Sequence, residues 1–438
     1  MKAAASIVGL GLLLAGNVHS QSSSGEFGPN PELAAPEGKW LPTLHIATSK
    51  GWGAYGMPQA APGTVVTAVA RGLKHPRWLY VLPNGDILVA ESDAPARPDD
   101  GKGLRGRIGG VVMKRAGSGA KLSANQITLL RDVQGDGARV ERHIFLQGLN
   151  SPIGMALIGN NFYVADSDAL LRFPYKTGDT EIRAQSMQVA VLPAGTINHH
   201  WTKSLIASAD GQKLYVGVGS NSNAAENGLA AESERASVWE INAGSGEHRV
   251  YASGLRNPVG LAWEPQTGAL WVAVNERDEM GDHLPPDYMT GLHAGAFYGW
   301  PFSYYGQHID ARVKPQNPDL VAKAIAPDYA LGAHTASLGL CWSGGSTLPE
   351  PFRQGMFVGQ HGSWNRKPHS GYKVIFIPFA DGKPGGAPID VLSGFLSAKN
   401  DALGRPAGVA MDRRGSLLVA DDVGDVVWRV SALNSPVR

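Results

Sequence analysis

Residues able to do proton, redox or metal chemistry gather at a few points along the chain. His200, just after Asn198-His199 and ahead of Trp201-Thr202-Lys203, is a candidate general base, because an imidazole accepts a proton near neutral pH. Taken alone, a histidine here is more often a structural hydrogen-bond partner, with His199 beside it as a decoy. Arg256-Asn257 stands before Pro258, whose ring restricts the residue ahead of it to an extended or turn geometry, so a permanent cation and an amide are presented together. The plain alternative is a turn with a surface salt bridge. The run Val274 to Asp282 is crowded with oxygen ligands, among them Glu276, Asp278 and Asp282 around Arg277. Calcium takes six to eight oxygens from carboxylates and carbonyls, although an acidic turn is often only solvated. Arg77, Lys203, Arg366 and Arg405 would form a strong anion site if they faced one point, since guanidinium groups pair with carboxylates through two parallel hydrogen bonds. Trp78, Trp201 and Trp364 lie near these cations and suit either stacking on a flat ring or plain packing.

Other chemistries find no footing. No glycine-rich dinucleotide fingerprint sits between a strand and a helix, and no phosphate-binding loop is present. A His-Glu-x-x-His zinc pattern and a Gly-x-Ser-x-Gly elbow are also missing. The net charge of +1 argues against nucleic acid or an anionic membrane as the main partner. Asp132 to Gly137 resembles a calcium loop but lacks the closing acidic residue of a twelve-residue EF-hand, so it reads as a polar turn.

The elements that must position these residues are short strands, because glycine and proline are abundant and long amphipathic helical patterns are few. One phrase recurs six times, running from a small residue and turn through an apolar stretch and a glycine-bearing turn into a strand that ends near an acid or glycine. Its copies begin at Gly72, Gly148, His200, Gly254, Ser337 and Gly404. Their strands close on Glu91, Asp166, Val218, Val274, Gly359 and Asp421. Units that cannot bury both faces alone must close into a ring, which predicts an all-β, six-bladed β-propeller with long inserted loops. Pro285 to Leu292, Tyr304 to Ala333 and Asp93 to Arg107 are expected to be such loops. The repeat starts then converge on one end of the channel, which brings His200, Arg256 and the scattered cations together. Residues 1–20, with Lys2 ahead of an apolar run and Val18-His19-Ser20 at its end, read as a cleaved signal peptide. This places the protein in the periplasm or outside the cell. Residues 21–60 read as an extended arm and 61–438 as the propeller. Cys341 stands alone, so no internal disulfide forms. No later stretch has the roughly 20 apolar residues of a membrane helix, so no membrane insertion is expected.

Gly254-Leu-Arg-Asn-Pro-Val-Gly260, Phe297-Tyr-Gly-Trp-Pro301, His361-Gly-Ser-Trp-Asn-Arg366 and His200-Trp-Thr-Lys203 together resemble the soluble quinoprotein sugar dehydrogenases, especially the sorbosone-oxidising branch. The resemblance runs from about Gly72 to Val430. It implies pyrroloquinoline quinone (PQQ) and calcium at the top of the channel, with an aldose or sorbosone as substrate. His200 falls on the position of the general base, and Arg256 and Asn257 fall beside the reactive carbonyl. The run Glu276 to Asp282 falls on the loop whose carbonyls hold calcium, and Arg405 falls on a cation that binds cofactor carboxylates. The family's lysine has no counterpart in the last motif, so His361 and Arg366 stand as its substitutes. Arg77 takes the place of a glutamine loop. With no Cys-x-x-Cys-His for a haem, electrons must leave to a separate soluble redox carrier. Two other readings stay open: a calcium-dependent propeller hydrolase of the lactonase kind, and a non-catalytic binding propeller.

Overall fold

The computed structural model describes residues 25–37, 43–96, 123–132, 137 and 139–433. Residues 1–20, read above as a signal peptide, and most of the expected 93–107 loop and 132–137 turn lie outside these residues.

Apolar runs of five or six residues fold into strands buried on both faces. Ile87–Glu91, Leu417–Asp421 and Gly355–Gln360 are buried throughout, as expected of a strand covered on each side by a neighbouring sheet. Each is the second strand of an antiparallel sheet. The innermost strands are Pro76–Val81, Gly154–Ile158, Leu205–Ala207, Asn257–Trp263, Ser337–Trp342 and Pro406–Met411. Hairpins join first to second strands, and glycines such as Gly85 and Gly415 supply the left-handed backbone, with φ of 92° and 81°. Six such sheets form the ring, so the protein is a six-bladed β-propeller with almost no helix. Apolar clusters fill the spaces between adjacent blades; one packs Trp428, Val419 and Val409 of the last blade against Phe357, Phe376 and Val374 of the fifth.

The ring is closed by the N-terminal side of the chain. Thr64–Arg71 pairs antiparallel with Val426–Ala432, so the sixth blade takes three strands from the C-terminal end and its outer strand from residue 64 onward. This removes two free sheet edges at once. The arm adds two further strand pairings. Phe27–Gly28 extends the fourth blade through Leu331 and Ala330, and Gln59–Ala60 extends the fifth through Ser393 and Leu392.

One expected loop is not a loop. Pro286–Gly291 is the fully buried third strand of the fourth blade. Pro286 occupies the first strand position, where a missing N–H costs least. Tyr304 to Ala333 is an insertion only in part. The hairpin Ser303–Tyr304 with His308–Ile309 and a one-turn helix, Pro318–Val321, lead into Tyr329–Ala333, the blade's fourth strand.

Candidate active site

First and second strands run antiparallel, so the chain enters every innermost strand and leaves every second strand at the same end of the ring. Arg77, Lys203, Arg256, Asn257 and Arg405 come from the entries. Asp166, Ser220, Glu276, His361 and Asp422 come from the exits. Residues far apart in sequence therefore ring one opening.

His200 sits at the third blade, with Nδ1 3.0 Å from the Ser220 carbonyl and 2.9 Å from Ser220 Oγ. Burial, reinforced by the Arg256 guanidinium, holds its pKa well below the ordinary histidine value, so the ring is a neutral acceptor at physiological pH. Gly219 lets it approach the fourth blade. A β-carbon there would lie 2.4 Å from His200 Cβ and 2.5 Å from Asn257 Oδ1. That Asn257 oxygen is buried and has no hydrogen-bond partner among the described residues.

Arg256 is buried and held from several sides. It donates to the carbonyls of Glu276 (2.7 Å) and Asn223 (3.2 Å), to Asn223 Oδ1 (2.9 Å) and to Asp278 Oδ2 (3.1 Å). Burial pushes the Asp278 carboxyl upward, but Arg256, His334 and Asn365 outweigh it and keep the group ionised. Arg277 turns away from the opening into a buried pair with Asp310, its Nη2 3.0 Å from Oδ1, and donates to the Asp278 carbonyl at 2.6 Å. Glu276 is buried with one carboxyl oxygen unpartnered among the described residues, and burial lifts its pKa to about 7. Asp282 accepts from Thr43 of the arm at 2.5 Å.

Across the opening, His361 Nε2 meets both oxygens of Asp422, at 2.8 and 3.0 Å, and Arg77 pairs with the same carboxylate. Arg405 lies over the Tyr372 ring at 4.9 Å and contacts the Gly362 carbonyl at 3.4 Å. Its Nε and Nη2 are buried with no hydrogen-bond partner among the described residues. Lys203 is wholly buried, its ammonium 3.2 Å from the Trp201 carbonyl. Burial, helped by Arg235, lowers its pKa to about 7. Arg77 stands 5.9 Å from the Trp201 ring, which links these cations around the rim.

Arg366 lies on a different footing from the other cations. Its Nη1 donates to the Ala333 carbonyl at 2.9 Å, and its Nη2 pairs with Glu26 of the arm at 2.9 Å. It anchors the arm instead of standing ready for an anion. The sequence motif around it gave no sign of this, because the partner lies 340 residues away. Asp422, Asn223, Ser220 and Glu232 were likewise not foreseen. Only Asp422 carried a signal, as the acid just after the last repeat's strand.

A family model described as TrAA12-like matches residues 120–285 and 307–432, more than half of the chain. The chain belongs to the TrAA12-like family. An uncharacterised protein of Borreliella burgdorferi is 28% identical over 301 residues, which cover 64% of this chain and 76% of that one. A PQQ-dependent pyranose dehydrogenase of Coprinopsis cinerea is 24% identical over 246 residues, covering 43% of this chain and only 32% of that longer enzyme. Among solved structures, the holo PQQ domain of the Coprinopsis cinerea pyranose dehydrogenase superposes with a TM-score of 0.67 at 19% identity. It covers 88% of this chain and 100% of that domain. A calcium structure of the Trichoderma reesei family AA12 enzyme gives a TM-score of 0.67 at 16% identity, covering 89% of this chain and 99% of that one.

The residues of this TrAA12-like chain fit a quinone with several carboxylates. Lys203 and Arg405 are buried cations short of acceptors, and a buried cation is stable only when paired. The Asn257 amide adds an unpartnered oxygen on the other side. Calcium is not accommodated by the acidic run as it stands. The Glu276 and Asp278 carbonyls accept from Arg256 and Arg277, and the Asp278 carboxylate is taken by Arg256 and Asn365. No three His, Cys, Asp or Glu side chains among the described residues are grouped to hold a metal.

Proposed function

We propose that this protein is a PQQ-dependent sugar dehydrogenase, oxidising an aldose or sorbosone at the channel opening. The observation that carries the reading is the pair of buried, under-partnered cations, Lys203 and Arg405, on the rim that also holds His200 and Arg256. A hydrolase or a plain binding propeller gives those cations no purpose, and the PQQ-dependent Coprinopsis relative supports the quinone.

In this proposal Lys203 and Arg405 bind the carboxylates of the quinone, and Asn257 orients its polar edge. When bound, the quinone supplies a two-electron acceptor for the hydride that leaves the sugar carbon. His200 takes the sugar hydroxyl proton on Nε2, a step typically worth about 10²–10⁴-fold. Arg256, immobilised by its four acceptors, keeps a fixed positive charge beside the reacting atoms, where preorganised charge is most effective. Arg77 and His361, tied to Asp422, shape the far wall. Calcium remains a second proposed cofactor, supported by the Trichoderma reesei structure; the acidic run offers it the unpartnered Glu276 carboxylate oxygen but not the Asp278 carboxylate, which Arg256 and Asn365 take, so no step here depends on it. Export to the periplasm and transfer of electrons to a soluble carrier complete the proposal.

The test is titration of the cofactor-free protein with PQQ, with and without calcium, followed by dye reduction over a panel of aldoses and sorbosone. Stoichiometric activation that is lost in His200→Ala supports the proposal. Absence of both binding and dye reduction refutes it, and lactone hydrolysis would then be assayed.

A further inference from the structure

The surroundings of His200 determine which of its nitrogens carries the proton. Both atoms near Nδ1 belong to Ser220: the backbone carbonyl at 3.0 Å and Oγ at 2.9 Å. The carbonyl can only accept. The hydroxyl has one proton, and Oγ lies 2.6 Å from the Ser222 carbonyl, which also can only accept. The hydroxyl proton is therefore committed to Ser222, and Oγ turns a lone pair toward the imidazole. With two acceptors facing it, Nδ1 must be the protonated nitrogen of the neutral ring, and Nε2 is left bare.

The turn that makes this arrangement is braced from behind. Glu232 is buried, with Oε2 accepting from the Asn221 backbone N–H and Oε1 from Ser222 Oγ, both at 2.6 Å. The Ser220 N–H donates to the Arg256 carbonyl at 2.8 Å, tying the turn to the fourth blade. We propose that Ser220 is the positioning residue that fixes His200 as an Nδ1-protonated, Nε2-basic imidazole, with Glu232 locking the Ser220–Ser222 turn that holds it. This role for Ser220 rests on the reading of His200 as the base.

The partner of Nδ1 is neutral, which has a consequence. A carboxylate in that place would stabilise the imidazolium formed as the base takes its proton. A hydroxyl and a carbonyl do so less. Burial is the largest influence lowering the basicity of the ring, and among the charged and titratable groups facing it, Arg256 and Asp278 from the fourth blade and His199 from its own segment, the Arg256 cation outweighs the others. The imidazole therefore stays unprotonated well into the acid range, and a carboxylate introduced at position 220 should raise its pKa.

The first experiment is long-range ¹H–¹⁵N correlation on the full-length cofactor-free protein, with His200 assigned by comparison with His200→Gln. The expected spectrum has a protonated Nδ1 and a pyridine-like Nε2; the opposite tautomer overturns the proposal. Kinetics of the holoenzyme follow. Ser220→Ala is expected to lower kcat about tenfold with KM little changed, the cost of one positioning hydrogen bond. Ser220→Thr should restore most of it, and Ser220→Asp should move the acidic limb of the pH profile upward. An unaltered kcat in Ser220→Ala together with an unmoved limb in Ser220→Asp overturns the proposal. The two readings fail separately. Activity that survives in His200→Ala refutes the base and leaves the tautomer standing, whereas a dead His200→Ala with the opposite tautomer refutes the role of Ser220 alone.

Discussion

Replacing Glu26 by Gln should loosen the arm far more than a surface ion pair would. The Glu26 and Arg366 side chains are only 10% and 8% exposed, so the guanidinium cannot turn to water when its carboxylate is removed. Its other partner is the Ala333 carbonyl at 2.9 Å, which carries no charge. Breaking a buried pair from one side typically costs about 3–5 kcal/mol, because it strands an uncompensated charge. Half-exposed His283, 3.4 Å from Arg366 Nη2, adds a second group that Glu26 now faces and that would lose its acceptor. The arm is held otherwise by local bonds such as Glu37 N–H to the Met280 carbonyl and His45 N–H to the Trp364 carbonyl, each 2.9 Å. Those two amides report arm opening directly. Their hydrogen-exchange protection should fall by about two to three and a half orders of magnitude in Glu26→Gln, or to that of open chain, while core amides of Ile87–Glu91 stay unchanged. Arg366→Met alone should cost a similar amount, but the double variant should recover most of the loss, since a pair replaced together leaves no stranded charge. Additive losses in the double variant would refute the argument, because they would mean the two side chains do not share one interaction.

Three further outcomes follow from the same geometry. Gly219→Ala should fold, since the glycine lies at the rim, but its methyl must displace His200 or Asn257; kcat should fall about 100-fold with the circular dichroism unchanged. Arg405→Met keeps the contact with Tyr372 but removes two unpartnered donors, so PQQ affinity measured by tryptophan fluorescence should weaken about 10- to 100-fold. Lys203, with its pKa near 7 in the empty protein, is mostly neutral at pH 8.5, and a carboxylate partner would restore its charge. PQQ binding at that pH should therefore take up a proton and weaken as pH rises, seen by calorimetry in buffers of different ionisation enthalpy and absent in Lys203→Met.

What the sequence could and could not reveal follows from the range of each interaction. The second strands were legible because burial on both faces demands an unbroken apolar run, and Ile87–Glu91 and Leu417–Asp421 appear in the structure as read. Convergence of His200, Arg256 and Arg405 on one opening followed from the repeat, since equivalent positions in antiparallel hairpins must share an end; His361 was reached only through the resemblance. Pro286–Gly291 was expected to be a loop, and burial between blades, which makes it a strand, is not a local signal in the sequence. Arg366 and Arg277 show the harder limit. Both are buried cations near the opening, yet Glu26 claims one and Asp310 the other. A spacing pattern can say that a cation will be there. Only the fold says whether a carboxylate of the same chain reaches it first.

That distinction sharpens what a cofactor site in this ring requires. The strand entrances and exits around the opening supply more cations than any ligand needs, so the chain neutralises some internally: Arg256 with Asp278, Arg277 with Asp310, Arg366 with Glu26 and Arg77 with Asp422. Each of these pairs is at least partly buried and fixes wall geometry at a cost in desolvation. Lys203 and Arg405 have no carboxylate partner among the described residues, and they are buried all the same. Holding them in that state lowers the stability of the empty protein, and an anionic ligand would recover the cost by mass action. The empty protein should therefore gain thermal stability on PQQ addition, and a Lys203→Met, Arg405→Met double variant should be as stable without cofactor as the wild type or more so, yet gain little when PQQ is added. A double variant that unfolds earlier than wild type would show that these cations serve the fold, and the argument for a quinone at this opening would lose its main support.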